Sequence, residues 1–229
     1  MCNLYESPTP EQIAVEFGVS APVQGDLWAK TIAPLKPGPF IPANGVMRVG
    51  QWGMIPPGSA TRRPVNPRTV RPLSTNNARR EGMATAMTYR GPWKAGQRCL
   101  IPAVSFDEPY WGTGKNIWWR FWRADGKPWA LAGLWSEWTD PATGEVVPSY
   151  TMITQNCDAH PLLRLMHRPD PQLAHDQQDK RAVVPIERDH WDQWLGGTQA
   201  QAEQLIRLPA IELFRHGAAD PEKQVALPV

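Results

Sequence analysis

Cysteine is scarce in this chain of 229 residues. The three cysteines, Cys2, Cys99 and Cys157, are an odd number and contain no Cys-x-x-Cys pair. This excludes a disulfide framework and argues against a structural zinc site. No spacing of His, Cys, Asp and Glu resembles a metal site either, so we expect no metal and no other cofactor.

Long apolar runs are also missing. No stretch is long enough to cross a bilayer, and residues 1–30 lack the basic start and apolar stretch of a signal peptide. No Gly-rich loop resembles a phosphate-binding loop, and Gly-x-Ser-x-Gly is absent. We therefore expect a cytoplasmic protein without a membrane partner.

Acidic residues are nearly absent from one segment. Residues 46–98 hold ten Lys and Arg but a single acid, Glu81, which makes the segment +9 while the whole chain is +2. Tryptophan is abundant, with 12 residues. Basic segments interleaved with aromatics suit single-stranded nucleic acid, because Arg contacts phosphates while bases stack on Trp. On charge alone, a solvated arginine-rich loop is an equal alternative.

The amino terminus carries the most reactive group in the chain. If Met1 is removed, Cys2 presents an α-amine and a thiol on adjacent carbons. The amine titrates near about 8 and the thiol near about 8.5, so both are nucleophiles near neutral pH. A 1,2-aminothiol condenses with an aldehyde to an imine, and the thiol closes the imine to a thiazolidine. The alternative, and the commoner case, is a tolerated small residue in a frayed terminus.

Helix signals occur at four places. Thr9, Pro10 and Gln12 form a capping-box start, and Gly18 can end this helix. Further helices are expected at Ala78–Met87, Glu187–Leu195 and Thr198–Ile206. Asn76 or Asn77 is a natural N-cap for the first of these three.

Strand signals alternate with turns over the rest of the chain. We expect strands at Val46–Trp52, Arg98–Val104, Asn116–Arg123, Pro128–Trp135, Ser149–Gln155 and Ala182–Ile186. Asp125-Gly126 predicts a hairpin between Asn116–Arg123 and Pro128–Trp135. Residues 20–45 are Pro- and Gly-rich and are expected to be irregular, residues 59–76 to be a long loop, and the last twenty residues to trail. The pattern predicts a single α+β domain of mostly antiparallel strands with peripheral helices.

Several polar residues could assist a Cys2 nucleophile. A side-chain amide of Asn76 or Asn77 could hold a terminal amine, although a plain N-cap is the simpler interpretation. Asp107-Glu108 follows an apolar strand, and a carboxylate at such a strand end could act as general acid or base, although a turn carboxylate is more common. His167 could shuttle protons. His160 competes with it for that role, and either could be a packed side chain.

Together these pieces resemble the SOS response associated peptidase (SRAP) family, whose members process abasic sites. The resemblance rests on blocks that follow one another in family order: Met1–Tyr5, Trp52–Pro56, Asn77–Glu81, Arg98–Pro102 with Phe106 and Glu108, Ala130–Trp135, Tyr150–Thr154, Met166-His167 and Asp179–Ile186. It covers roughly residues 1–195 and leaves 196–229 as a C-terminal helix and tail. It implies a barrel-like curved sheet as the core of the domain.

The resemblance also implies a chemistry. Cys2, exposed by self-removal of Met1, would form a thiazolidine crosslink with the ring-opened aldehyde of an abasic site in single-stranded DNA. Asn77 would position the terminus or the opened sugar, Glu108 would be the acid and base, and His167 would protonate the sugar O4′. Abasic-site lyase activity would accompany this chemistry in a monomer that associates with the nucleoid. The residues expected to contact DNA are Arg79, Arg80, Arg48, Trp52 and Thr154.

The chain departs from the family pattern at three places. Leu4 stands where many members have a phosphate-binding Arg, Pro109 stands where many have Trp, and Pro169–Gln178 is an insertion. Two other functions compete with the crosslinking hypothesis. One is an N-terminal-nucleophile cysteine amidase acting on a small amide, and the other is a non-enzymatic module that binds single-stranded DNA.

Overall fold

Strand pairing organises the protein around two sheets. The computed structural model describes residues 2–20, 28–66 and 68–219. Its strands, in chain order, are β1 (Tyr5–Glu6), β2 (Thr31–Ile32), β3 (Pro37–Pro42), β4 (Arg48–Trp52), β5 (Asn77–Arg79), β6 (Arg98–Ala103), β7 (Ser105–Tyr110), β8 (Ile117–Arg123), β9 (Trp129–Thr139), β10 (Val146–Asn156), β11 (Arg181–Val183) and β12 (Phe214–Ala218). The α-helices are α1 (Pro10–Phe17), α2 (Met87–Lys94), α3 (Trp191–Gly196) and α4 (Gln199–Leu205). None of the described helices is long and apolar enough to cross a membrane.

The larger sheet closes into a barrel. Strands β10, β4, β3, β6 and β9 pair in that order, and β9 pairs back onto β10. Closure requires close backbone approach at Gly133 of β9, because a Cβ there would lie 2.8 Å from the Thr151 carbonyl oxygen of β10. Strands β5 and β11 add to β10 outside the ring. The structure confirms the predicted α+β domain with a barrel-like sheet.

The smaller sheet carries the amino terminus. Its strand order is β12-β8-β7-β1-β2, and all of its pairs are antiparallel. Tyr5 lies opposite Phe106 of β7, and the Asp107 amide donates to the Leu4 carbonyl oxygen at 3.0 Å. Continuing this register brings the residues before Leu4 beside Glu108. The first residues of the chain are therefore held in the sheet instead of fraying into solvent.

Two hydrophobic clusters fill the structure. One lies between the two sheets and contains Cys2 together with Tyr5, Trp52, Phe121 and Tyr150. The other packs the helices against the barrel and is centred on large side chains such as Ile13, Trp93 and Trp194. The predicted helix α1 is confirmed with its capping box, and it ends at Gly18, whose φ is +66°.

The helix predicted over Ala78–Met87 is wrong. Asn77–Arg79 instead form β5, which pairs in parallel with Met152–Thr154, and residues 80–82 form a single 3-10 turn. The helix α2 begins only at Met87. Pairing with the long central strand β10 buries Asn77 and Ala78, and this tertiary context outweighs local helix propensity.

The hairpin predicted around Asp125-Gly126 is also wrong. The turn forms, with the Lys127 amide donating to Asp125 Oδ1 at 3.0 Å. The strand before it, β8, pairs with β7 and β12, whereas the strand after it, β9, pairs with β6 and β10. The chain therefore passes from one sheet to the other at this turn.

Two segments are more regular than the sequence suggests. Pro37–Pro42, inside the Pro-rich stretch expected to be irregular, forms β3 of the barrel. Phe214–Ala218, in the segment expected to trail, forms the edge strand β12. Residues 21–27 and 220–229, which fall in the same two segments, lie outside the described residues, as do Met1 and Pro67.

Candidate functional site

Two adjacent amides hold the backbone of Cys2. The Asn77 side chain donates its Nδ2 hydrogen to the Cys2 carbonyl oxygen at 2.7 Å, and Asn76 Nδ2 donates to the same oxygen at 3.2 Å. Asn76 also donates to Asn3 Oδ1 at 3.1 Å. Both side chains are buried. Because strand β5 is fixed on β10, these amides place Cys2 at a defined point of the core.

Asn77 keeps an unused acceptor. Its Oδ1 atom is buried and has no hydrogen-bond partner among the described residues. A buried acceptor without a partner is costly, so such an atom marks a place where another donor is expected. Asn77 lies on a strand and is not the N-cap that a helix over Ala78–Met87 would have required.

Asn76 is the residue that sequence reasoning left undecided. Its backbone carbonyl accepts the indole hydrogen of Trp52 at 2.9 Å, and its Oδ1 accepts from Ser74 at 3.0 Å. These bonds fix its side chain toward Cys2. In the sequence, the Asn76-Asn77 doublet is the feature that points to this position. In the structure, both side-chain amides donate to the Cys2 carbonyl oxygen.

The Cys2 thiol is removed from solvent. Its side chain is 0% exposed, and Sγ donates to the Leu4 carbonyl oxygen at 3.5 Å. Burial raises the pKa of this thiol well above its ordinary value, and the Glu108 carboxylate raises it further. The thiol is therefore a neutral S–H near neutral pH and needs a base before it can attack.

Glu108 and His167 form a pair next to this terminus. His167 Nε2 lies 2.8 Å from Glu108 Oε2, and Glu108 is only 3% exposed. Burial raises the pKa of the Glu108 carboxyl, but nearby positive charge, including that of His167, lowers it by more, so the pKa lies below its ordinary value. Glu108 is therefore a carboxylate at neutral pH, ready to accept a proton.

The backbone of His167 is held in an unusual conformation. Its φ is +60°, in the left-handed region that non-glycine residues rarely adopt. The His167 amide donates to the Pro109 carbonyl oxygen, and Lys180 Nζ donates to the His167 carbonyl oxygen, both at 2.6 Å. These bonds fix the residue on both sides and turn its ring toward Glu108. Strain that is held in place by surrounding contacts is common at functional sites.

His160, the competing histidine, has a structural role. Its Nδ1 accepts from the Leu162 and Leu163 amides at 3.2 and 3.1 Å, and its Nε2 lies 3.0 Å from the Pro209 carbonyl oxygen. Both ring nitrogens are thus used by the backbone. Burial lowers the pKa of His160, which keeps the ring neutral.

A buried ion cluster missed by sequence reasoning anchors the strand that leads to Cys2. Arg120 of β8 makes two 2.7 Å hydrogen bonds to the Asp107 carboxylate and one of 3.1 Å to Glu6 of β1. All three residues are at most 8% exposed. The cluster joins β1, β7 and β8 through Asp107, the residue before Glu108. Asp107, next to Glu108 in the sequence, was the one hint of it.

Cys157 lies in the same core cluster as Cys2. Burial raises the pKa of its thiol to about 12, and the charge of Glu108 contributes to the rise. Cys157 therefore remains a neutral thiol near the site. Among the described residues, no group of three His, Cys, Asp or Glu side chains could hold a metal ion.

The residues expected to contact DNA occupy different environments. Arg79 and Arg80 reach the surface but pair with Asp179 and Glu203, each at 2.7 Å. Arg48 pairs with Glu137 and lies over the Trp135 ring. These three guanidiniums are partly exposed.

Trp52 and Thr154 are both 0% exposed. The Trp52 ring packs edge-on against Tyr5 at 5.1 Å, and the Thr154 hydroxyl donates to the Ala78 carbonyl oxygen. The expectation of direct DNA contact does not fit these two residues in this structure. Trp52 supports Asn76 from behind, and Thr154 lies beside β5.

The fold neutralises part of the basic segment. Acids outside residues 46–98 pair with Arg48, Arg62, Arg79 and Arg80, while Arg98 is buried and donates to the Trp194 and Gly197 carbonyl oxygens. Within the described part of the chain, no ion pair is seen for Arg63, Arg68, Arg71, Arg90 and Lys94. The electropositive surface is therefore smaller than the sequence count suggests.

Comparison with known proteins identifies similar sequences. A sequence profile of the SOS response associated peptidase (SRAP) family matches residues 1–216. The abasic site processing protein HMCES of Gallus gallus is 27% identical over 128 residues, which cover 45% of this chain and 35% of that protein. The match thus spans about a third of the length of that relative.

Solved structures share the architecture. A protein from Bordetella bronchiseptica is 30% identical, with a TM-score of 0.81 over 96% of this chain and 100% of its own. A protein from Bacteroides thetaiotaomicron is 16% identical, with a TM-score of 0.77 over 99% of this chain and 95% of its own. The second likeness concerns the fold alone.

Proposed function

The chain belongs to the SOS response associated peptidase family, and we propose that it processes abasic sites by crosslinking itself to single-stranded DNA through Cys2. The observation that carries this proposal is the convergence of four groups from four parts of the chain. Cys2 is held by Asn77, and the buried Glu108 acts on the Cys2 thiol and pairs with His167. These are the groups that imine formation and thiazolidine closure require.

The first step is removal of Met1. Hydrolysis of the Met1–Cys2 peptide bond consumes one water and releases methionine and a Cys2 α-amine. The Glu108 carboxylate can take a proton from the attacking group and return it to the departing amine. Asn76 and Asn77 hold the Cys2 carbonyl, so the bond broken lies at a fixed position.

The second step is opening of the abasic sugar. An abasic deoxyribose is mostly a ring-closed hemiacetal, and its aldehyde appears only when O4′ is protonated as the C1′–O4′ bond breaks. His167 supplies this proton from Nε2, which lies 2.8 Å from Glu108 Oε2, and the C1′ hydroxyl gives its own proton to solvent as its oxygen becomes the aldehyde oxygen. The imidazole suits this task because its ordinary pKa lies near neutral pH.

The third step joins protein and DNA. The neutral α-amine attacks C1′, water leaves, and an imine forms. The Cys2 sulfur then adds to the imine carbon while its proton passes to the imine nitrogen, which closes the thiazolidine without further loss of atoms. Glu108 relays this proton, since the buried thiol is not ionised on its own. The unused Oδ1 of Asn77 accepts a hydrogen from the amine or from the opened sugar.

The imine also opens a side reaction. It acidifies the C2′ hydrogen, so a base can drive β-elimination of the 3′ phosphate, which would be abasic-site lyase activity. Arg79, Arg80 and Arg48 would neutralise phosphates along the strand. We propose that the protein acts as a monomer, in the cytoplasm and on nucleoid DNA.

The test is formation of a covalent adduct with an abasic oligonucleotide. Wild-type protein is mixed with single-stranded DNA that carries one abasic site, and denaturing electrophoresis is run without a reducing trap. We expect an adduct from the wild type and none from Cys2→Ala. Equal adduct from both variants, or none from the wild type, would overturn the proposal. Hydrolysis of small amides without DNA would instead support an N-terminal-nucleophile amidase.

A further inference from the structure

A cavity of about 400 Å³ adjoins the catalytic pair. His167 forms part of its wall and at the same time contacts Glu108. Cavities that hold small-molecule ligands have volumes of about 300–1,000 Å³, so this one is large enough for a single nucleotide. None of the residues expected to contact DNA lines it. The residues that matter here are Trp111, Arg164, Asp170, Leu173, His175 and Lys180.

The cavity offers apolar surface for a planar group. Trp111 lies at the end of β7, three residues after Glu108, and is half-buried. Leu173 contributes a second apolar side chain that is 45% exposed, although it is large and hydrophobic. The Arg168 guanidinium lies over the Trp111 ring at 5.6 Å from its centroid. An aromatic ring with apolar and cationic neighbours suits stacking of a nucleobase.

The cavity also carries positive charge. Arg164 and Lys180 are cations, and Asp170 is the one acid among its lining residues. Within the described residues, Arg164 makes no ion pair. Lys180 donates to the His167 carbonyl oxygen, and burial lowers its pKa although Asp158 opposes this shift. A phosphate would find an available guanidinium in Arg164.

The outer wall is built before any ligand arrives. Residues 168–178 form a loop between two left-handed residues, His167 at φ +60° and Asp179 at φ +53°. Gln178 closes this loop, because its Nε2 lies within 3.2 Å of the carbonyl oxygens of Asp170, Leu173 and Ala174 and its Oε1 accepts from the Asp170 amide at 2.7 Å. A preformed wall reduces the entropy lost on binding.

We propose that this cavity is a subsite for the nucleotide adjacent to the abasic residue in the same DNA strand. The base stacks on Trp111 beside Leu173, and the phosphate approaches Arg164. His167 joins the two subsites, so a nucleotide seated here places the neighbouring sugar at Glu108 and Cys2. This inference rests on the proposed crosslinking function. It adds that the site reads a base next to the lesion.

The experiment measures binding without crosslinking. The probe is a single-stranded oligonucleotide whose lesion is tetrahydrofuran, an abasic analogue that has no aldehyde. Two further probes lack the base on the 5′ or on the 3′ side of the lesion. We expect removal of one of these two bases, and not the other, to weaken wild-type binding about tenfold, because stacking on an aromatic residue is worth about 1–3 kcal/mol per base.

A double-mutant cycle assigns the effect to the cavity. We expect Trp111→Ala and Leu173→Ala each to weaken binding of the probe that keeps both flanking bases. Removal of the sensitive base should then not weaken binding to Trp111→Ala any further. Trp122→Ala is the matched control: Trp122 is half-buried on β8 and has Arg215 at 5.2 Å from its ring, but it lies outside the cavity. Normal binding by Trp111→Ala, or a loss that is independent of both flanking bases, overturns the inference.

A free mononucleotide carries the same base and phosphate groups as a nucleotide in DNA, so it is the alternative ligand for this cavity. Titration with deoxyadenosine monophosphate, alone and in the presence of the oligonucleotide, separates the two sources. We expect the oligonucleotide to displace the mononucleotide. Tight mononucleotide binding that DNA does not displace would overturn the assignment to the DNA strand. Because the tetrahydrofuran probe cannot react, a failed crosslink with an aldehyde would contradict only the proposed function.

Discussion

The two halves of the candidate site are built by different means. Cys2, Asn77 and Glu108 lie in or directly beside strands, are buried, and are fixed by sheet pairing. His167 lies in a left-handed turn at the start of the loop 168–178, most of which is exposed. In the proposed mechanism, the strand half supplies the groups that make and break bonds at the terminus, and the loop half supplies the acid that protonates the sugar.

This difference indicates how the site divides its tasks. A sheet holds atoms at fixed positions, which suits a nucleophile that must attack one particular carbon atom. A loop closed by its own side chains can change without disturbing the core, which suits recognition of a variable substrate. Variants in the strand half should therefore reduce reactivity, and variants in the loop half should mainly change how substrate is handled.

Glu108→Gln should have the largest effect among variants that keep both nucleophilic atoms. It preserves shape but removes the proton acceptor, so we expect crosslinking of abasic single-stranded DNA to slow about a thousandfold, within the range of general acid–base catalysis. Single-turnover rates on denaturing gels measure this. Glu212→Gln, at an exposed surface position, is the control. A rate within twofold of the wild type would remove Glu108 from the mechanism.

His167→Gln should slow the reaction about a hundredfold by removing the general acid. Its role is specific to ring opening, so an oligonucleotide with an acyclic aldehyde, which cannot close to a hemiacetal, should restore most of the rate. His160→Gln provides the contrast: we expect loss of stability of about 1–3 kcal/mol from broken buried hydrogen bonds and a near-normal rate in the folded fraction. Equal slowing of His167→Gln on both substrates would contradict the assigned role.

Asn77→Ala should slow crosslinking about tenfold, because one hydrogen bond to the Cys2 carbonyl and one acceptor for the amine are lost. Asn76→Ala should do less, since Asn77 retains the shorter bond. Asn44→Ala, on the surface, serves as control. If Asn76→Ala slowed crosslinking more than Asn77→Ala, then Asn76 would be the more important of the two amides, which contradicts this prediction.

The smallest predicted effect is on how the free energy of unfolding changes with pH. The pKa of Glu108 is lowered in the folded protein, so its ionised form stabilises the fold above the ordinary carboxyl pKa of about 4.3. This contribution is lost as the pH falls through the lowered pKa. We expect the stability difference between wild type and Glu108→Gln, from urea unfolding, to shift against the wild type as pH falls from 7 to 3. A difference that stays constant would show that burial cancels the effect of the pairing on the pKa, and a shift in favour of the wild type would show that burial outweighs it.

The sequence predicted the strand half better than the loop half. Ordered motifs pointed to Cys2, Asn77 and Glu108, which the structure places close together, because each lies in a local pattern that a strand or its end preserves. Arg120 and Glu6 could not be found, since their contact joins residues 114 positions apart. The hairpin at Asp125-Gly126 failed for a related reason: local turn chemistry does not reveal that the flanking strands enter different sheets. The burial of Trp52 and Thr154 could not be foreseen, because a motif shows neither burial nor direction.

The conformation of the loop half depends on contacts between residues that are far apart in the sequence. Nothing in the residues around His167 predicts a φ of +60°, which follows from bonds to Pro109 and Lys180. The two histidines differ in what their ring nitrogens contact: His167 Nε2 lies beside Glu108, whereas both ring nitrogens of His160 bind the backbone. The cavity beside Trp111 likewise arises from a loop that Gln178 closes, and that closure is visible only in three dimensions.

The central claim is that the Cys2 amine and thiol act together, and the mass of the adduct tests it most directly. Intact-mass spectrometry is applied to wild type and Cys2→Ser after reaction with abasic single-stranded DNA, with and without borohydride. We predict that the wild-type adduct forms without reductant and has the mass of the chain lacking Met1 plus the oligonucleotide minus one water. Cys2→Ser should give an adduct only when borohydride traps the imine. A wild-type adduct that retains Met1, or a Cys2→Ser adduct that is equally stable without reductant, would contradict the account.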